Sequence, residues 1–281
     1  MSDSSTALKK KVVGRLVFFF FFLSLSFRLF LHATPSHWLE PVLFKIDFDF
    51  TYWLFMLSGL PDIIIQNKIG SILFDIFLLL TAFLCIILPD KNLICILFGC
   101  LFFIYALSYN TYIVHHAHPL TIMTLASTPF FFRNDRVWNF LWEGFRYYVC
   151  YIYTMSFFWK SFIGKSLLFW NMGINSFEQN LVEYIFYYPD TMISSFYKFL
   201  IVHPFILNVG AITIFLLEGF MVVGFFTKKL DRVLFFIPIL IHVATYFFSD
   251  VFFMEMLVGI FAFLSFEKVK KIVQHFPLIA Y

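Results

Sequence analysis

The chain has 281 residues, 61% of them hydrophobic and 13% charged, with a formal net charge of +3. A soluble domain carries about 25% charged residues, so this composition excludes a water-soluble fold; a charge this small argues against a nucleic-acid partner. It fits an all-α, polytopic transmembrane helix bundle whose partner is the lipid bilayer, and the length fits one membrane domain.

In chain order, the first apolar run is 12–33, preceded by Lys9, Lys10 and Lys11 and containing Arg15. It is too long for a signal-peptide core and has no small-x-small cleavage site, so it reads as an uncleaved first span. Residues 34–69 carry Pro35, Pro41, Pro61 and the pair Tyr52 and Trp53, an aromatic stretch suited to the membrane surface. Runs 70–88 and 92–113 each meet the length of about 20 residues that a crossing needs. Run 119–132 is shorter. Run 147–163 is a further span, with Lys160 near its end, and 164–204 is a second surface stretch. Run 205–227 is long enough, whereas 233–248 and 251–266 are short again. The short runs reach only about 20–24 Å at 1.5 Å per residue, so they are short spans, re-entrant segments, or spans with snorkelling flanks.

Loop charges choose among the topologies. Eight crossings from a cytoplasmic N-terminus place most lysines and arginines inside, as the positive-inside bias requires. Omitting 119–132 would put Arg133 and Arg136 outside. The expected organisation is a cytoplasmic tail over 1–11, a transmembrane domain over 12–266 and a cytoplasmic tail over 267–281, in the cell membrane. Cys85, Cys95, Cys100 and Cys150 sit in or beside apolar runs with no Cys-x-x-Cys pair, which argues against a disulfide framework or a dithiol centre.

Ionisable groups inside lipid cost several kcal/mol and so mark candidates for function. Glu218 and His242 lie near the middles of their runs, Glu255 and Asp75 lie nearer the ends of theirs, and Arg28 is placed to snorkel outward. The structural alternative is interhelical polar contacts that hold the bundle together. Glu218 lies about ten residues before loop 228–232 and His242 about ten after it, so both sit about 15 Å from one membrane face. Equal depth on neighbouring antiparallel helices predicts that the two side chains meet. His115, His116 and His118 are three potential metal ligands, but adjacent histidines diverge on a regular backbone and no carboxylate stands near. Lys160 follows Trp159 and Phe157-Phe158. A lysine there is either an interfacial anchor or, where it turns into a dry cavity, a base.

Tyr153, Ser156 and Lys160, then Trp170-x-x-Gly173, then a span with central Glu218, a basic loop with Lys228, Lys229 and Arg232, and a span with central His242 follow one another in that order. This order resembles the HTTM membrane domain, the bacterial relatives of the vitamin K-dependent γ-carboxylase transmembrane region, and it covers most of residues 10–266. The resemblance implies that Lys160 is the base that deprotonates a hydroquinone, with Lys165 the next candidate because its spacing to Trp170 is closer to the carboxylase's. Glu218 and His242 would supply polar groups beside it, and Trp159, Trp170 and Glu255 would line the substrate site. The implied cofactor or substrate is a quinone, a hydroquinone or another lipid-soluble small molecule. Ser161 stands where the family carries leucine, and the carboxylase's substrate-recognition domain has no counterpart here, so protein carboxylation is not expected. Two other readings stand beside this one. A non-catalytic, partner-binding membrane subunit would use the polar residues only to pair with one another. A small transporter would need opposed half-repeats, which the sequence does not display.

Overall fold

A computed structural model describes residues 3–38, 50–112, 118–163, 172–249 and 254–275. The described residues form helices and turns, with no strand among them. Five segments are long and apolar enough to cross a membrane: Ser5–His37, Lys68–Ile87, Asn92–Thr111, Pro204–Phe225 and Asp231–Phe248. Leu120–Phe131, Met192–Val202 and Met254–Phe263 are apolar but shorter. The chain packs as two compact units, 1–145 with 265–281, and 146–264.

The first unit holds α1 (Asp3–Phe30), α2 (Phe50–Leu57), α3 (Leu60–Ile64), α4 (Lys68–Ile87), α5 (Asn92–Tyr112), α6 (His118–Ser127), the first half of α7 (Asp135–Phe158) and α12 (Phe266–His275). The phenylalanine run in α1 is resolved by helical phase: Phe18 and Phe21 are buried, whereas Phe19 between them is half-exposed. Phe18 meets Phe98 edge-on at 5.6 Å, and Phe21 stacks on Phe98 at 5.5 Å, which joins α1 to α5. Trp138 and Trp142, one turn apart on α7, stack at 5.8 Å and both meet Phe130. At the start of α1, Lys10 donates to the carbonyls of Phe132 and Arg133 at 2.9 and 3.2 Å.

Two of the intramembrane charges belong to this unit, and both have protein partners. Arg28 does not snorkel outward. Its guanidinium is buried, donates to the Tyr105 hydroxyl at 3.3 Å and lies 4.3 Å from the Tyr109 ring centroid. Asp75 is buried and accepts from the Ser36 backbone N–H at 3.1 Å, while Lys68 donates to the Ser36 carbonyl. The turn Pro35–His37 is thereby tied to α4.

The second unit holds the rest of α7, a π-helical turn Trp159–Ile163, α8 (Met172–Tyr187), α9 (Met192–Val202), α10 (Pro204–Phe220) continuing as 3-10 helix over Met221–Phe225, α11 (Asp231–Ser249) and a 3-10 segment Met254–Phe263. Phe177 and Leu181 of α8, Tyr197 and Leu200 of α9, and Leu207 and Ala211 of α10 form one core. Gly173 opens that packing. Its N–H donates to Asn208 Oδ1 at 2.8 Å, and a Cβ there would lie 2.5 Å from the Leu207 carbonyl oxygen. Backbone cannot give way as a side-chain tip can, so Gly173→Ala is expected to destabilise the protein by about 1–3 kcal/mol. Unfolding by a denaturing detergent would measure this, and a wild-type midpoint would contradict it.

Candidate functional site

The second half of α7 presents Tyr153, Ser156 and Lys160 at i, i+3 and i+7, a spacing that puts all three on one helix face. The deep polar residues of α10 and α11 turn to that face. The Lys160 ammonium donates to both carboxylate oxygens of Glu218 at 2.7 Å, and the Ser156 hydroxyl donates to Oε2 at 3.2 Å. Tyr153 Oη and His242 Nε2 share a hydrogen bond of 2.8 Å. Tyr153, Glu218 and His242 are all buried.

The expected bond between Glu218 and His242 is corrected by this geometry. Both side chains are buried, as their depth implied, but the Glu218 carboxylate bonds Lys160 and Ser156 instead of the imidazole. Equal depth fixes the level of a group but not its neighbour, and α7 offers a cation and two hydroxyls at the same level. An ammonium satisfies a buried carboxylate better than a neutral imidazole does.

Lys160 is ion-paired to the buried Glu218 carboxylate. The side chain keeps 39% of its surface while that of Glu218 keeps 7%. The lysine is therefore the more exposed side chain of the pair and the glutamate the buried one. Lys160 sits in the π-helical turn at the end of α7; such turns are frequent at functional sites. Phe157 is half-buried and meets the Phe215 ring at 4.5 Å. Trp159 is 62% exposed. Glu255 is buried in the 3-10 segment Met254–Phe263. Lys165, Trp170, His115 and His116 lie outside the described residues, as does the side chain of His118. Among the described residues, no group of three or more histidine, cysteine or acidic side chains is placed to hold a metal ion.

By sequence Arg146 falls just before run 147–163 and so among the loop charges. The structure buries it midway along α7, where it donates to Asp231 at 2.5 and 3.2 Å and to the carbonyls of Gly224 and Thr227 at 2.8 and 3.1 Å. A usable signal was present. Asn134 caps the N–H groups of Arg136 and Val137 at 2.8 and 3.3 Å, which marks a helix that begins well before residue 147. No family model matches the chain, and neither a curated protein nor a solved structure matches it.

Proposed function

We propose that the chain is a multi-pass membrane enzyme of the HTTM kind that acts on a quinone-like, lipid-soluble substrate through Lys160. One observation carries this reading: a buried carboxylate holds a lysine whose side chain is still 39% exposed. An ammonium cannot accept a proton, so the pair acts as a base by relay. The substrate hydroxyl gives its proton to Lys160 Nζ as Nζ gives one to Glu218, and the proton ends on the buried carboxylate. Tyr153 and His242, hydrogen-bonded on the same helix face, would orient the substrate oxygen.

A short-chain naphthoquinol added to the purified protein tests this. It is expected to raise the melting temperature of the wild type and to leave a Lys160→Met/Glu218→Leu variant unmoved, although that variant folds. Equal shifts in both proteins, or none in the wild type, would reject the site. The second reading, a non-catalytic partner-binding subunit, rests on the fact that the ionisable residues here pair among themselves; it predicts no response to the quinol.

The finer topology belongs to the same proposal. Eight crossings arise if the segments Leu120–Phe131 and Met254–Phe263 and the second half of α7 cross along with the five long apolar segments, with both termini cytoplasmic in the cell membrane. Cysteines introduced beside Arg133 and after Lys271 are then expected to resist an impermeant thiol reagent applied to intact cells. Labelling at either position would overturn this topology.

A further inference from the structure

At the start of α7 an open recess of about 370 Å³ is lined by Arg133, Asn134, Asp135 and Arg136. We infer that this recess is a binding site for the phosphate headgroup of an anionic phospholipid.

The charges there are arranged for an anion. Among the described residues the Arg133 side chain commits only its Nε, to Asn92 Oδ1 at 2.9 Å. Among the described residues the Arg136 side chain has no hydrogen bond or ion pair. Asp135 is the one group in the recess that would repel a phosphate, and it is offset by Lys10 Nζ at 3.5 Å. The recess also lies at the N-terminal end of a 24-residue helix, where the backbone dipole is positive. Two guanidiniums offered in one recess suit bidentate contact with phosphate oxygens.

The surface beside the recess supplies the lipid half of the argument. Phe132 and Val137 are exposed, and Phe140, one turn along the helix from Arg136, is 76% exposed. A phosphate at the arginines would send its acyl chains along this apolar strip. A free phosphate would use the arginines alone and gain nothing from it.

Native mass spectrometry of the full chain from detergent, with dioctanoyl-phosphatidylglycerol and dioctanoyl-phosphatidylcholine as probes, tests the site. The anionic lipid is expected to stay bound at collision energies that strip the zwitterionic one. Arg136→Gln, which removes no hydrogen bond or ion pair among the described residues, is expected to weaken phosphatidylglycerol about fivefold, and Arg133→Gln/Arg136→Gln by about the square of that. Inorganic phosphate is expected to compete only weakly. Equal retention of the two lipids, or undiminished phosphatidylglycerol binding by folded Arg136→Gln, would overturn the site. Full displacement of the lipid by inorganic phosphate at matched concentration would overturn the choice of a lipid as ligand.

Discussion

Arg146→Met is expected to destabilise the protein by about 2–4 kcal/mol, because it strands the part-buried Asp231 carboxylate together with two backbone carbonyls. Three acceptors depend on this guanidinium. Asp231 takes two of its hydrogen bonds, and the carbonyls of Gly224 and Thr227 take the others. Those carbonyls close the 3-10 end of α10, where the helix has no amide donors left, so Arg146 acts as its cap. The guanidinium also lies 5.6 Å from the Phe263 ring, which ties the 3-10 segment Met254–Phe263 to the same group. Arg146→Lys is expected to recover only a small part of the loss, because an ammonium cannot span a carboxylate and two carbonyls at once. Adding Asp231→Leu to Arg146→Met should recover more, since it removes the stranded charge. Unfolding in mixed detergent micelles, followed by helix content, would measure all three. A loss below about 1 kcal/mol for Arg146→Met would show that water reaches the site and replaces the guanidinium.

How far the sequence revealed this architecture depends on what each residue's neighbours had to say. Long apolar runs place Lys68–Ile87, Asn92–Thr111 and Pro204–Phe225 within a few residues, because a crossing is set by length and polarity alone. Helix α7 is different. Its first half carries Asp135, Arg136, Glu143 and Arg146, so a hydropathy reading starts the helix about three turns late and assigns Arg146 to a loop. Depth in the membrane singled out Glu218 and His242, and both are buried. Their partners were harder to see, because a sequence gives the level of a group and not the azimuth of its helix. Tyr153, Ser156 and Lys160 fall at helical spacing within run 147–163, but which neighbours their face meets is set by packing. Arg28 shows the same limit: its position near a helix end allows snorkelling, and only tertiary packing decides for Tyr105 and Tyr109.

Lys160→Met and Glu218→Leu are expected to differ in cost, although they break the same ion pair. The Glu218 side chain is 7% exposed in the intact pair, and with the lysine gone it keeps the hydrogen bond from Ser156 at 3.2 Å. A buried carboxylate so poorly satisfied costs about 2–4 kcal/mol or must take up a proton. With the glutamate gone, Lys160 is already 39% exposed, and its four-carbon stem can carry the ammonium outward. That change is expected to cost about 1 kcal/mol or less, as exposed pairs do. The double variant removes both charges from the interior and should lie close to the wild type, so the coupling energy is large and the sum of the single losses overshoots. Thermal or detergent unfolding of the four proteins gives the cycle. If Glu218→Leu costs as much as Lys160→Met, the lysine is as deeply held as the carboxylate, and the idea of a more exposed lysine on a buried acid fails. The asymmetric result would mean that stability needs the lysine only to satisfy Glu218. A double variant as stable as the wild type but unable to bind the naphthoquinol would then place the reason for keeping both charges in chemistry and not in folding.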